Sequence, residues 1–307
     1  MTTAYYSFQQ HFEHDTGLEH PEHALRILAI EQELKNRQIW DEMTHIEGQK
    51  AELADVLRAH SPGYVEQLGL IQPKQGHILV DEDTPMSAGS LEAAYYSAGS
   101  CLMALDAVLN NQFHNAFVAV RPPGHHAEAR LSKGFCFFNN AAITALRATD
   151  KHFLQRVAVL DFDAHQCNGT IDILKDDPRF LICTSFQHPF YPYSHYQQYK
   201  FSNVVNSYLA ENEGSKEFRQ AVLEQWLPAL EGFAPEAIIV SAGFDAHKED
   251  PQANLCFEDD DYRWIGEQIQ HFCQVRNLPW VALLEGGYEL NALGRSVSEF
   301  IEQMLIK

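Results

Sequence analysis

The sequence lacks paired cysteines. Its six cysteines form no C-x-x-C pair, which favours reduced thiols over a disulfide framework or a thiolate zinc site. A metal in this chain would therefore have to be held by histidine and carboxylate side chains.

An excess of positive charge and a long apolar run are also missing. The 307 residues carry a formal net charge of −20, which disfavours nucleic acid and anionic membranes as partners. An acidic field would instead attract a cationic substrate. No basic segment followed by an apolar one opens the sequence, and no apolar run is long enough to span a membrane. We therefore expect a cytoplasmic protein.

No repeat, low-complexity tract or linker divides the chain, so we expect a single domain over residues 1–307. Short continuous apolar runs are typical of strands buried on both faces of a parallel sheet, and they occur at 116–120, 156–163, 180–186, 237–245 and 280–288. Stretches with helical spacing of apolar residues alternate with them, at 90–110, 139–153, 216–233 and 259–276. This alternation predicts a three-layer α/β/α fold with a mostly parallel central sheet.

Each apolar run ends in a polar segment that contains glycine or aromatic residues. In chain order these segments read RPPGHHA, DFDAHQCNGT, SFQHPFYP, SAGFDAHKEDP and EGGYE. In open parallel sheets, ligands bind at the carboxyl ends of the strands. The five segments are therefore expected to meet at one site.

Two of these segments contain candidate metal ligands. Asp163 and His165 follow one strand run, and Asp245 follows another in a second FDAH sequence. Residues two apart in extended chain project to the same side. Two carboxylates and one imidazole match the three protein ligands of a catalytic zinc site, although nitrogen and oxygen ligands also suit other divalent ions.

The adjacent His125 and His126 are candidates for general acid/base catalysis, because histidine titrates nearest neutrality. Two prolines and a glycine before them would stiffen the loop. Asp161 and Asn168 could orient the two imidazoles, or merely cap turns. Tyr288, in the EGGY segment, could donate a hydrogen bond to a developing oxyanion.

These residues resemble the histone deacetylase superfamily, in particular its class II type with bacterial deacetylase-like amidohydrolases and acetylpolyamine amidohydrolases. Matching segments run through nearly the whole chain, and are HDTGLEHPEHALRI (14–27), HSPGYV (60–65), DEDT (81–84), RPPGHHA (121–127), GFCFFNNAA (134–142), DFDAHQCNGT (161–170), SAGFDAHKEDP (241–251) and EGGY (285–288). The resemblance implies an arginase/deacetylase-like fold and a zinc-dependent enzyme that removes an acetyl or short acyl group from a primary amine such as acetyl-lysine.

The resemblance also implies a role for each motif residue. Zinc would be held by Asp163, His165 and Asp245, with His125 and His126 as acid/base pair and Tyr288 as oxyanion donor. Asp161 would orient His125, and Asn168 would orient His126. Gly134 would offer its carbonyl group to the scissile amide, and Phe135 with Phe190 or Tyr191 would wall a narrow tunnel. A structural monovalent cation, usually potassium, would be held in part by Asp161 and Ser185.

The sequence departs from the family pattern at three positions. Gln166 and Cys167 replace a histidine and a glycine of the metal loop, and cysteine adopts positive φ less readily than glycine. Gln252 stands near the position where class II members commonly have leucine and polyamine-selective members have glutamate. The choice between acetyl-lysine and acetylpolyamine substrates therefore stays open.

Two other functions remain as alternatives, together with one open question of assembly. A ureohydrolase of the same fold would bind two manganese ions, but Cys167 stands where its further carboxylate would be. A catalytically silent module for acetylated partners would not need the histidines and the tyrosine. The tyrosine-rich segment near residue 190 could shape the tunnel or contact another subunit of a homo-oligomer.

Overall fold

The computed structural model describes residues 2–17 and 19–306. Its strands, in chain order, are β1 (Thr3–Ser7), β2 (Thr44–Glu47), β3 (Ile78–Leu79), β4 (Pro85–Met86), β5 (Asn115–Val118), β6 (Val157–Asp161), β7 (Phe180–Gln187), β8 (Val204–Leu209), β9 (Ala237–Ala242) and β10 (Trp280–Leu284). Its helices are α1 (Leu25–Asn36), α2 (Leu53–Val56), α3 (Pro62–Ile71), α4 (Ser90–Leu109), α5 (Asn140–Asp150), α6 (Asn168–Leu174), α7 (Ser215–Ala221), α8 (Leu227–Phe233), α9 (Asp259–Arg276) and α10 (Leu290–Met304). A π-helical turn (Val222–Trp226) joins α7 to α8.

Eight strands form one sheet in the order β2-β1-β5-β10-β9-β6-β7-β8. All neighbouring pairs in it run parallel, whereas β3 and β4 form a separate antiparallel pair. The five apolar runs correspond to β5, β6, β7, β9 and β10, which are consecutive neighbours in the sheet. The prediction of a mostly parallel sheet is therefore confirmed.

The sequence patterns missed β1, β2 and β8, which lie toward the two margins of the sheet. β2 is largely exposed, and half of β8 is only partly buried. β1 is buried but contains hydroxyl side chains in the sequence TAYYS. None of the three forms a continuous apolar run, because a marginal strand need not be apolar on both faces.

Helices cover both faces of the sheet, as the sequence predicts. α4 and α5 pack against each other and against the central strands, while α1, α9 and α10 pack together on the other face. Phe300 of α10 stacks edge-on or tilted against Phe117, Phe162, Phe244 and Trp280, with ring centroids 5.6 to 6.5 Å apart. These buried aromatic contacts pack α10 against the central strands of the sheet.

Two helices next to the carboxyl edge of the sheet begin at side-chain caps. The side chain of Asn139 accepts the backbone N–H of Ala142 at the start of α5, and Glu289 accepts that of Ala292 at the start of α10. Such caps satisfy amide groups that have no partner within the helix. Among the residues described, no helix is apolar over a length sufficient to cross a bilayer. The cytoplasmic location stays a prediction.

Candidate metal centre and active site

Three predicted metal ligands meet at the carboxyl ends of two adjacent strands. Asp163 and His165 follow β6, and Asp245 follows β9. Nδ1 of His165 lies 3.0 Å from Oδ1 of Asp163 and 2.9 Å from Oδ2 of Asp245. One ligand atom of each residue lies within 4.8 Å of the others. This group could hold a metal ion.

The remaining carboxylate oxygens are fixed by backbone donors. Gly286 donates its N–H to Oδ2 of Asp163 at 2.9 Å, and Ala164 donates to Oδ1 of Asp245 at 2.8 Å. A Cβ atom at position 286 would overlap carboxylate oxygens of both aspartates. Glycine is therefore needed where the backbone after β10 passes the two carboxylates.

The two carboxylates need a positive charge between them. Burial raises the pKa of Asp245 to about 7, and the neighbouring Asp163 adds to that increase. Burial lowers the pKa of His165, but the charges and hydrogen bonds of Asp245 and Asp163 outweigh it and raise that pKa overall. Buried carboxylates are stable when paired or when they coordinate a metal. The donor set therefore fits a divalent cation.

The two adjacent histidines follow β5, and their ring centroids are 4.0 Å apart. Nδ1 of His125 lies 3.0 Å from Oδ2 of Asp161, and its Nε2 lies 3.8 Å from Oδ1 of Asp163. Burial lowers the pKa of His125, but the charges of Asp163 and Asp161 outweigh this effect and raise the pKa to about 10. The surroundings of His125 therefore favour the imidazolium form.

The second imidazole has different neighbours. Nδ1 of His126 lies 2.7 Å from Oδ1 of Asn168. The side-chain amide of Asn168 donates to Oε1 of Glu128 and to the carbonyl oxygen of His126, which leaves its oxygen to accept from the imidazole. Burial and the charge of His125 lower the pKa of His126. His126 is therefore neutral with its proton on Nδ1, and Nε2 is free to accept.

The loop that carries the histidines is anchored at two points. Arg121 is buried, pairs with Glu22 at 2.9 Å and donates to the carbonyl oxygens of His11 and His14. Glu285, which is fully buried, accepts the backbone N–H groups of Gly124 at 2.7 Å and of His125 at 3.1 Å. These bonds join the histidine loop to the end of β10.

Tyr288 is half-buried on the loop after β10. The guanidinium of Arg26 lies 4.9 Å from the centre of its ring, and the ring of Phe135 meets it edge-on at 5.8 Å. Burial raises the pKa of the Tyr288 phenol. The hydroxyl therefore stays protonated around neutral pH and can act as a donor.

One cavity of about 230 Å³ reaches His126, His165 and Tyr288. Its lining residues are Asp83, His126, Gly134, Phe135, His165, Phe190, Tyr191, Gln252 and Tyr288. The ring of Phe190 stacks on His165 at 5.6 Å, and that of Tyr191 meets His126 edge-on at 5.2 Å. All five residues predicted to bind substrate therefore line the cavity, with both Phe190 and Tyr191 in its wall.

The comparisons with known proteins agree with this geometry. The sequence profile of the histone deacetylase domain matches residues 20–304. The chain belongs to the histone deacetylase family. It is 33% identical over 301 residues to a probable deacetylase of Archaeoglobus fulgidus. The aligned region covers 94% of this chain and 82% of that protein.

Two further members of the family cover nearly all of this chain. The structure of the HDA15 HD domain matches with a TM-score of 0.91 and 26% identity, over 99% of this chain and 89% of that one. The polyamine deacetylase HDAC10 of Mus musculus is 31% identical over 303 residues, which are 91% of this chain and 44% of that protein. Membership in this family places the chain among deacetylases and related amidohydrolases.

The two departures in the metal loop leave the three ligands in place. Cys167 has φ −73° and lies just before α6, so the backbone there does not need glycine. The side chain of Gln166 donates to Asn206 and accepts from Ser194. It therefore points toward β8 and the residues near 190, and connects the metal loop to that segment.

Sequence reasoning missed three acidic residues of the site. Asp83 lines the cavity, Glu285 holds the histidine loop, and Asp250 holds the Tyr288 loop. All three lie inside motif segments, DEDT, EGGY and SAGFDAHKEDP, that carry the family resemblance. The loops that Glu285 and Asp250 hold lie far from them along the chain, so no local spacing could have identified these contacts.

Proposed function

We propose that this chain is a zinc-dependent deacetylase that hydrolyses the N-acetyl or short acyl amide of a primary amine such as acetyl-lysine. The observation that carries the proposal is the shared cavity, which brings His126, His165 and Tyr288 around one space. A base, a metal ligand and an oxyanion donor around one point are what hydrolysis of an unactivated amide requires.

Zinc would be held by Asp163, His165 and Asp245. The support is the donor set, since three nitrogen and oxygen ligands with an open position are typical of catalytic zinc. When bound, the ion would polarise the amide carbonyl group and lower the pKa of water. The buried carboxylates of Asp163 and Asp245 would then be neutralised by the ion.

His126 would take the proton from the attacking water and pass it to the departing amine. It lines the cavity, and its Nε2 is the free acceptor that this step requires. His125 would keep its proton between Asp161 and Asp163 and hold a positive charge beside His126. This division gives the two adjacent imidazoles different roles within one acid/base pair.

Tyr288 would donate its hydroxyl hydrogen to the amide oxygen as negative charge develops there. Its raised pKa supports this role, because the phenol stays a donor. Gly134 would accept a hydrogen bond from the scissile amide. It has φ +53°, and a Cβ atom there would overlap the ring of His126.

Phe135, Phe190 and Tyr191 would hold the extended chain of the substrate. Aromatic walls exclude water and favour a slender apolar linker such as the methylenes of lysine or of a polyamine. The charged or bulky part of the substrate would then stay outside, near Gln252 and Asp83, which also line an outer pocket of about 560 Å³.

An acetylpolyamine is the second candidate substrate. Asp83 at the cavity mouth could attract a second amine, and Glu82 lines the outer pocket beside it. The likeness to a polyamine deacetylase from Mus musculus supports this alternative. Gln252 is polar but neutral and therefore does not decide between the two substrates.

We also propose that Ser185 and Asp161 contribute to a structural potassium site. Ser185 is 1% exposed, and its hydroxyl has no hydrogen-bond partner among the residues described. A buried hydroxyl without a partner is costly. A monovalent cation would satisfy its oxygen.

A panel of acetylated amines, assayed beside metal analysis, tests the proposal. The panel contains acetyl-lysine peptides, acetylspermidine, acetylputrescine and short acylated amides. We expect release of acetate with one catalytic zinc equivalent per chain. Two equivalents of manganese would indicate a ureohydrolase-like enzyme instead, and binding of acetylated amines without turnover would indicate a silent module.

A further inference from the structure

A buried carboxylate holds the backbone of the Tyr288 loop. Asp250 is 6% exposed. Its Oδ2 accepts the N–H of Tyr288 at 2.6 Å and the N–H of Glu289 at 3.0 Å. One oxygen therefore receives two consecutive backbone donors from the loop after β10.

The other side of this carboxylate belongs to a different loop. Oδ1 of Asp250 accepts the N–H of Gln252 at 3.0 Å, and the N–H of Asp250 donates to the carbonyl oxygen of His247 at 2.8 Å. Asp250 is thus held by its own loop after β9, five residues beyond Asp245. It connects the loop that carries a proposed metal ligand to the loop that carries Tyr288.

The backbone of the Tyr288 loop is held by several hydrogen bonds, and those to Asp250 lie on both sides of the Tyr288 Cα atom. Gly286 and Gly287 directly precede the tyrosine, and Gly287 has φ +120°, so the backbone before Tyr288 is intrinsically flexible. The ring of Phe135 contacts that of Tyr288, whereas Arg26 lies over the Tyr288 ring and also donates to the carbonyl oxygens of Gly287, at 2.6 Å, and of Glu285. Arg26 therefore holds one of the two peptide groups that flank the Cα atom of Tyr288, whereas the two N–H bonds to Asp250 hold both.

The same contacts account for an acidic side chain at a buried position. Burial raises the pKa of Asp250, while the N–H groups of Tyr288, Gln252 and Glu289 oppose that increase. Three of the acceptor sites of the carboxylate are occupied by backbone donors. An aspartate that only stabilised its own turn would not accept backbone N–H groups from a second loop, as Asp250 does.

We propose that Asp250 is a positioning residue for Tyr288, which sets the distance of the phenol from the scissile amide. This inference rests on the proposed role of Tyr288 as oxyanion donor. Since a misplacement of about 1 Å can cost about 100-fold in rate, we expect Asp250→Ala to lower kcat about 10- to 100-fold. KM and zinc content should stay close to those of the parent, because Asp250 does not line the cavity and is not a proposed metal ligand.

Asp250→Asn is the conservative variant. It keeps the shape of the side chain and one acceptor oxygen, so its loss of kcat should be smaller than that of Asp250→Ala. It also tests the proposal if the alanine variant does not fold. Glu249→Ala is the matched control. Glu249 is a neighbouring acid that pairs with Arg295 at the surface, and its removal should leave kcat unchanged.

A double-mutant cycle with Tyr288→Phe is the decisive experiment. If Asp250 acts through the phenol, Asp250→Ala should lower kcat in the parent but not in the Tyr288→Phe background. Hydrogen exchange of the metal-free protein provides a second readout. In Asp250→Ala, backbone amides of residues 285–292 should exchange faster, with the central strands unchanged.

Each contrary result has a separate meaning. If Asp250→Ala lowers kcat by the same factor in both backgrounds, or leaves kcat at the parent value, the positioning role is wrong while the deacetylase function stands. If Tyr288→Phe equals the parent, the tyrosine role and this inference both fall. A parent protein that cleaves none of the acetylated amines overturns the proposed function and, with it, this inference.

Discussion

Nδ1 of His126 lies 2.7 Å from Oδ1 of Asn168, whose amide group is itself held by Glu128. This chain of contacts sets the tautomer of the imidazole that lines the cavity. Loss of the hydrogen-bond partner of a metal-bound histidine typically costs about 10- to 100-fold. By analogy, we expect Asn168→Ala to lower kcat by about that factor, because it removes the partner that orients His126. Steady-state kinetics on an acetyl-lysine reporter measures it, with the exposed Asn36→Ala as control. Turnover within about twofold of the parent would contradict the orienting role.

Replacement of Tyr288 by phenylalanine removes one hydroxyl from the cavity. Loss of a single oxyanion donor costs about 100- to 1,000-fold in turnover, and we expect Tyr288→Phe to fall in that range. Metal content should be unchanged, since the hydroxyl is not among the proposed ligands. Single-turnover rates and metal analysis check both parts, and an undiminished rate would remove Tyr288 from the mechanism.

His126→Ala should be more damaging than Tyr288→Phe. The variant lacks the imidazole that lines the cavity. Both proton transfers of the proposed reaction, from the attacking water and to the departing amine, therefore lose the group that carries the proton. Zinc should still bind, because the ligand atoms belong to Asp163, His165 and Asp245. Parallel assays of deacetylation and metal content decide the matter. A His126→Ala protein as active as the parent would overturn the acid/base assignment.

Asp245→Ala should abolish both metal binding and turnover. It removes one of the three ligands and leaves Asp163 and His165 as an incomplete site. A chelator should inactivate the parent protein, and added zinc should restore it. The exposed Asp176→Ala provides a control with intact metal content. Full activity of a chelated, metal-free parent would contradict the metal assignment.

Acid should destabilise the protein through His60. Nε2 of His60 accepts the N–H of Asn139 at 2.8 Å, and Nδ1 lies 3.0 Å from the carbonyl oxygen of Glu128. Burial lowers the pKa of His60 to about 4, below the value of about 6.5 in the unfolded chain. The folded state therefore loses stability as the pH falls below about 6.5, by about 1.4 kcal/mol per pH unit until the folded pKa is reached.

Urea unfolding at several pH values measures this effect. Between about pH 6.5 and about pH 5 the parent should lose about 2 kcal/mol that His60→Gln does not lose, because glutamine does not titrate. The difference between the two curves removes the contributions of the other histidines. Parallel curves for parent and variant would show that His60 does not titrate in this way.

Much of the fold could be predicted because buried parallel strands are apolar on both faces. The runs that became β5, β6, β7, β9 and β10 stand out as continuous apolar segments. β1, β2 and β8 were missed, since strands toward the margins of a sheet need no such run. The helical stretch at 216–233 was predicted as one helix, whereas a π-helical turn separates α7 from α8.

For the candidate site, only the types of the reactive residues and their positions at the ends of strands could be predicted. The sequence indicated Asp163, His165 and Asp245 as ligands because each follows a buried strand. It could not indicate that Glu285 holds the backbone of His125, or that Asp250 holds that of Tyr288. Those are bonds between loops that are distant along the chain.

The amino-acid sequence by itself determined which reactive side chains stand at the ends of buried strands, because a buried strand can be recognised from its local run of apolar residues. Only the tertiary structure decided that β5, β10, β9, β6 and β7 lie side by side. That order differs from their order along the chain and results from non-local pairing and helix packing. It brings His126, Tyr288, Asp245 and His165 to one edge, where His126, Tyr288 and His165 line one cavity.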